Sequence, residues 1–243
     1  MAAPILGGIG AQGSATGAAT INWPAHVSGL FSVLLIHHTG ATVTPTQANG
    51  QLSTTGVFTN FLCNTPQVTG PGGDNGVCYS RWGVSTGTSD TSVVTNDMGD
   101  HAFGYIITFS GCNTSSPIHV DSSGSQTTST SLSITGNTTT LTDILNVYLL
   151  AGAIDGTTNK IFDTNSPSNA NLTSLTKQLD ITSAVNNDGG QLAIVTGSLA
   201  TPGALGTLTS TIQNNAVTWF QFALKSTTSS SAVTNTSKYF HFF

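Results

Sequence analysis

The chain has 243 residues and a net charge of -5, only 6% of its residues are charged, and glutamate is absent. A typical soluble domain carries about 25% charged residues. The five cations are scattered along the chain: Arg81, Lys160, Lys177, Lys225 and Lys238. This distribution excludes a nucleic-acid-binding protein and a protein that binds anionic membrane surfaces, because both need a basic cluster.

Residues 1–18 come first and are rich in glycine and alanine, which predicts a flexible or docked N-terminal arm. The arm lacks the basic region of a secretory signal, and no run approaches the ~20 apolar residues of a membrane-spanning helix. We therefore expect a soluble chain made in a cytoplasm.

Residues 19–225 form the predicted body, a single domain built of strands. Long apolar runs rich in β-branched and aromatic residues alternate with Gly, Asn, Thr and Pro clusters, which is typical of strands. Eight long strands are predicted: Leu30–His37, Val57–Cys63, Val77–Val84, Ala102–Phe109, Ile144–Leu150, Leu175–Ile181, Leu192–Leu199 and Val217–Leu224.

Three shorter segments alternate apolar and hydroxyl residues, as a half-buried strand requires. They are Ala19–Trp23, Ser131–Ile134 and Thr207–Ile212, and each leads through a polar turn into a long apolar strand. This pattern predicts an all-β fold, an antiparallel two-sheet β-sandwich with a jelly-roll-like arrangement.

Residues 226–243 form a Ser/Thr-rich linker followed by an aromatic C-terminal peptide. Tyr239, Phe240, Phe242 and Phe243 each offer a large apolar area. This peptide either folds back on its own sandwich or docks in a neighbouring subunit, and the second alternative makes these four residues candidates for partner docking.

The three cysteines, Cys63, Cys78 and Cys112, leave at least one thiol unpaired within the chain. Three buried free thiols are one interpretation, and a bridge between Cys63 and Cys78 is the alternative.

Groups that could carry catalysis or bind a metal are sparse. Asn96–His101 and His119–Asp121 each combine carboxylates with an imidazole, but each also fits a plain turn or a loop edge. Asp74–Gly76 fits a hairpin tip or a calcium ligand. His37 and His38 end an apolar strand and point to opposite faces, so we expect one at the core edge and the other facing solvent or a partner. The sequence predicts no catalytic residues, no cofactor and no metal.

Two segments resemble a family of proteins from tailed bacteriophages and prophages. Ile21–His26 followed by Leu30–Ile36 is similar to their opening strands, and Gly99–Cys112 is similar to their central turn and aliphatic strand. The resemblance covers roughly residues 19–225 and implies a virion component, decorating the capsid or associated with the tail, with no catalytic residues to assign.

These features are compatible with three functions to different degrees. Neutral Thr, Ser, Asn and Gln side chains lie against a neighbour without the cost of burying ions, which favours a non-enzymatic structural virion protein that binds other capsid or tail subunits. We expect this protein to be assembled in the host cytoplasm as a homo-oligomer, with a trimer as the expected form. The alternative is a host-recognition module that binds surface glycans, for which Trp23, Trp82 and Trp219 are candidate stacking residues. An enzyme is disfavoured, because the ten carboxylates are mostly isolated along the chain.

Overall fold

The computed structural model describes residues 2–39, 52–54, 56–62, 67–69, 75–97, 101–152, 154, 160–183 and 190–227. These residues form strands and no helix, which confirms the predicted all-β class. The strands are β1 (Ile5–Ile9), β2 (Gly13–Thr16), β3 (Thr20–Ile21), β4 (Phe31–Thr39), β5 (Leu52–Thr54), β6 (Asn60–Phe61), β7 (Gln67–Thr69), β8 (Asn75–Val84), β9 (Val93–Thr95), β10 (His101–Ser110), β11 (Ile118–Thr135), β12 (Thr138–Thr139), β13 (Ile144–Gly152), β14 (Thr173–Ser183), β15 (Gly190–Leu199), β16 (Gly203–Ala204) and β17 (Thr207–Leu224).

Two antiparallel sheets dominate the molecule. The first has the order β1-β10-β4-β8-β6, with β2 also paired to β10 and β7 to β8. The second has the order β11-β17-β13-β15-β14. All strands of the first sheet precede all strands of the second along the chain, whereas a jelly roll passes back and forth between its sheets. The sandwich is confirmed, and its jelly-roll connectivity is not.

The inner core lies between the two sheets. Phe31 and Phe109, from the first sheet, meet Phe222 of the second, with ring centroids 6.0 to 6.4 Å apart. These rings join one cluster with aliphatic residues of β13 and β15, including Val147 and Ile194. Burying such rings removes large apolar areas from water, so this layer holds the two sheets together.

Each main sheet also has a second core on its outer face. Outside the first sheet, Leu34 and Ile36 pack against Ile21 and Phe58, beneath the small sheet β3-β9-β5. Outside the second sheet, another cluster combines residues of β13 and β15 with residues of the curled ends of β11 and β17: Tyr148, Leu150, Val195, Leu132, Ile134 and Leu208. Strands β4, β10, β13 and β15 are therefore buried on both faces, which explains their continuous apolar runs.

The three alternating segments of the sequence supply these outer layers. Ile21 of β3 covers the first sheet, while Leu132 of β11 and Leu208 of β17 cover the second. Their hydroxyl residues face outward. The segment Thr207–Ile212 is not a separate strand but continues into Val217–Leu224 as the 18-residue β17.

Of the two alternatives predicted for residues 1–18, a flexible or a docked arm, the described part is docked, because β1 and β2 both pair with β10. One predicted strand differs from the structure. The predicted strand Val57–Cys63 is reduced to Asn60–Phe61, since the chain turns at residues 56–57 to insert Phe58 into the outer core. Residues 228–243, with the aromatic peptide, lie outside the described residues.

Candidate functional sites

Three buried histidines lie near one end of strands β4 and β10, on both faces of the first sheet. His37 and His38 are 0% exposed and His101 is 1% exposed. The rings of His37 and His101 both contact Phe103, with centroids 5.4 and 5.8 Å from it, on the inner-core side. His38 lies on the other face, 5.8 Å from the ring of Tyr79. The expectation that one of the pair His37 and His38 faces solvent or a partner is therefore wrong, because β4 has a core on each side.

The surroundings of these histidines oppose protonation. Burial lowers the pKa of His37 to about 3 and that of His38 to about 4, and repulsion between the neighbouring imidazoles adds to the effect. No ring nitrogen of His37 or His38 has a hydrogen-bond partner in the described part of the chain. The Nε2 atom of His101 lies 3.1 Å from Ser183 Oγ in the second sheet. His37 and His38 are thus neutral near pH 7, and the folded state loses stability relative to the unfolded chain in acid.

A shallow depression of about 490 Å³ opens on the outside of the first sheet. It is lined by Asn22, Trp23, Pro24, Ala25, His26, Thr88, Asp90 and Ser92. The indole of Trp23 stacks on the imidazole of His26 at 4.4 Å and on the ring of Phe58 at 5.1 Å. The wall of the depression therefore combines an aromatic stack with amide, hydroxyl and carboxylate groups.

An aspartate–histidine pair lies within this wall. His26 Nε2 is 3.3 Å from an oxygen of Asp90, and His26 Nδ1 is 2.9 Å from the carbonyl oxygen of Pro24. The Thr86 amide donates to Asp90 at 2.9 Å, and the Thr86 hydroxyl donates to its other oxygen. Burial opposes ionisation of Asp90, but the hydrogen bonds from Thr86 and Gly87 and the nearby His26 outweigh it and lower the pKa of the carboxyl. These contacts fasten two loops that are 64 residues apart in sequence, and spacing alone could not reveal them.

One edge strand of the second sheet is long and carries almost no charged side chains. Strand β11 has 18 residues, lies at one end of the strand order and contains one charged residue, Asp121. Its exposed positions are otherwise Ser and Thr: Ser125, Thr127, Thr128, Thr130, Ser131, Ser133 and Thr135. The chemistry of this edge is that of hydroxyl groups and backbone amides.

The residues that the sequence offers as possible metal ligands do not come together in one site. Asp97 is exposed and His101 points inward, while residues 98–100 lie outside the described ranges. His119 Nε2 is 3.3 Å from the amide of Thr140, and Asp121 is exposed. Among the described residues, no three His, Cys or Asp side chains are grouped so that they could hold a metal ion.

The other residues singled out from the sequence are the three tryptophans, the cysteines, Asp74 and the C-terminal aromatic residues. Trp23, Trp82 and Trp219 each pack against a different core and do not form a common stacking platform. Cys78 and Cys112 are free and buried, so Cys78 makes no bridge to Cys63, which lies outside the described residues. Strands β7 and β8 pair antiparallel, and Asp74, which comes between them in sequence, lies outside the described residues. Tyr239, Phe240, Phe242 and Phe243 are outside as well.

Comparison with known proteins finds no matching family model, no matching curated protein and no matching solved structure. Within the described ranges, no helix has the length and apolar character needed to cross a membrane.

Proposed function

We propose that this chain is a non-enzymatic structural subunit of a large assembly, and specifically a bacteriophage virion component that decorates the capsid or forms part of the tail. The observation that supports this most directly is the exposed edge of β11, which carries no charge from residue 122 to residue 135. Such an edge lies against a neighbouring protein without stripping water from ions, and it carries no like charges to repel one. The resemblance of Ile21–His26 and Gly99–Cys112 to phage proteins favours a virion among possible assemblies.

Neutral contacts make a specific prediction about salt. The Debye length falls from about 10 Å at 0.1 M salt to about 3 Å at 1 M, which weakens contacts between exposed charges. Incorporation through hydroxyl, amide and apolar groups should therefore persist at 1 M NaCl.

The test uses particles of the phage that encodes the chain, produced without it and then mixed with the purified protein. The expected result is stoichiometric, symmetric extra density in a cryo-EM map, at low and at high salt. Particles that assemble normally and take up no added protein would contradict the proposal, and uptake that disappears at 1 M NaCl would contradict the neutral mode of contact.

A second candidate function rests on the depression beside Trp23. Amide, hydroxyl and aromatic groups at the rim of a pocket are the groups that bind neutral sugars, so a glycan-binding role in host recognition fits this surface. A glycan array with the purified protein tests it. Asn22→Ala should remove any binding found, while Val27→Ala, at an exposed residue that does not line the depression, should leave it unchanged.

A further inference from the structure

The edge strands of the two main sheets differ in how well they are protected against pairing with a strand of another chain. An unpaired edge offers a row of N–H and C=O groups to any other strand, and proteins usually blunt it with short strands, bulges or charges. The first sheet ends in short strands on both sides: β1 and β2 of five and four residues, β6 and β7 of two and three. It therefore offers little length for another chain to pair with.

The second sheet has one blunted edge and one long edge. Strand β14 carries Lys177 and Asp180, shifts register twice against β15 and has Ser174 in the left-handed region with a φ of 52°. Strand β11, at the opposite edge, shifts register three times against β17 before residue 131, but it has no proline and no charge between residues 122 and 135. In the described part of the chain, no strand pairs with the outer side of β11.

The last part of β11 pairs with β17 alone and covers the outer face of its own sheet, where Leu132 and Ile134 join the outer core. Strand β13 pairs with β17 only from Val217 to Leu224, whereas β11 continues along β17 to the pair Thr135 and Thr207. Residues 131–135 pair with β17 without a register shift. We call these five residues the ribbon edge.

The backbone of the ribbon edge shows which groups point outward. The Ser131 amide donates to Ser129 Oγ at 3.1 Å, and the Ser131 carbonyl accepts from Gln126 Nε2 at 3.0 Å, so both groups are turned away from β17. In an antiparallel pair, alternate residues direct their polar groups to the same side. Ser133 and Thr135 consequently present their N–H and C=O groups outward as well.

The side chains of the ribbon edge alternate in a pattern that is complementary to itself. Leu132 and Ile134 are buried in the outer core, and Ser131, Ser133 and Thr135 are exposed. If two copies run antiparallel about Ser133, Leu132 lies opposite Ile134 and Ser131 lies opposite Thr135. In that arrangement the backbone groups of Ser131 exchange their bonds with Ser129 and Gln126 for bonds with the second copy. The apolar face then continues from one copy into the next, while hydroxyl pairs, which are favourable across strands, cover the other face. Asp121 lies outside the paired stretch.

We propose that the ribbon edge pairs with the same edge of a second copy around a two-fold axis at Ser133, joining the β11–β17 ribbons of the two copies into one four-stranded layer. Two-fold interfaces of this self-complementary kind are the commonest in homo-oligomers. The inference rests on the proposed assembly role and specifies one contact of it. It also replaces the trimer predicted from sequence with a dimer as the basic unit.

The first test places like charges on the axis. Ser133→Lys and Ser133→Glu each put two identical charges opposite each other, so each variant alone should sediment as a monomer at a concentration where the wild type is a dimer. Mixing the two variants should restore a heterodimer, which shows that both are folded. Thr173→Lys, at an exposed hydroxyl residue on the β14 edge, is the matched control and should remain dimeric.

The second test captures the axis directly. In a variant without its native cysteines, Ser133→Cys places two thiols opposite each other at a Cα separation of about 5.5 Å, within the range of a disulfide. Mild oxidation should give a covalent dimer, and Thr173→Cys should not.

A wild type that is monomeric or trimeric in solution would overturn the proposal, as would a Ser133→Lys variant that remains dimeric. These measurements need no particles. A dimer disrupted at Ser133 with no uptake by particles would therefore refute the virion role alone, and uptake that is unaffected by Ser133→Lys would show that particles bind through another surface.

Discussion

Acid should destabilise this protein through two particular imidazoles. His37 and His38 have an ordinary pKa of 6.5 when the chain is unfolded and values of about 3 and 4 in the folded state. Below pH 6.5 the unfolded chain therefore binds protons at these two histidines, and the folded chain does not. The free energy of unfolding is therefore highest above pH 6.5 as far as these two histidines are concerned. It decreases as the pH falls from 6.5 toward the folded-state pKa values of about 3 and 4.

The magnitude follows from these values. Between pH 7 and pH 5 the unfolded chain takes up most of one proton at each histidine while the folded chain takes up almost none, which costs about 2 kcal/mol per residue. The pair together costs roughly 4 kcal/mol, a large part of the 5–15 kcal/mol that stabilises a typical domain. Cys78, opposite His37 on β8, offers no compensating charge, because burial raises the pKa of its thiol.

The assay is urea unfolding at a series of pH values from 7 to 5. The slope of the unfolding free energy against pH counts the protons taken up on unfolding, at about 1.4 kcal/mol per pH unit for each proton. His37→Leu and His38→Leu should each reduce that slope near pH 5 by roughly one proton, whatever they do to absolute stability. His119→Gln, at a half-exposed histidine, is the control and should leave most of the slope in place. A wild-type slope that neither leucine variant changes would refute the assignment.

Three further outcomes test the packing. Phe222→Ala should cost about 3–5 kcal/mol by emptying the inner core, whereas Phe61→Ala, at a ring that is 48% exposed, should cost much less in the same thermal or urea unfolding assay. Gly10→Ala should destabilise by about 1–3 kcal/mol, because its Cβ would lie 2.2 Å from the Asn22 carbonyl oxygen, while Gly87→Ala, with open space around it, should be tolerated; equal effects would contradict the docked arm. In a variant whose other two cysteines are alanine, Cys78 should resist thiol reagents until the protein is unfolded; rapid labelling of the native protein would show that its burial is incorrect.

Strand positions could be predicted well from sequence, and the layering could not. The run Phe31–Thr39 is apolar enough to predict a strand, but a continuous apolar run is compatible with a core on one side or on both. The second core depends on Ile21 and Phe58, which come from distant segments. This is also why His37 and His38 were expected to differ in exposure and do not.

The glycines of the N-terminal segment show a different limit. Glycine-rich composition predicts flexibility, yet Gly10 and Gly13 lie where the chain passes very close to the backbone at Asn22 and Thr20. A glycine that permits close approach and one that loosens a linker look the same in sequence. The pairing of His26 with Asp90 is hidden for a similar reason, because only the fold brings the two loops together.

The shortage of charge has two separate origins. Strands β4, β10, β13 and β15 contain no Asp, Lys or Arg, and burial on both faces accounts for that, since an unpaired ion inside a core is costly. Burial does not account for β11, whose exposed positions include one charged residue, Asp121. The mostly half-buried strand β14 keeps Lys177 and Asp180, which pair with each other at 3.3 Å. Strand β11 is therefore the long exposed strand on which neither burial nor pairing explains the missing charge. A surface that must lie against another protein does explain it, and Ser133→Lys is therefore expected to impair association while sparing the fold.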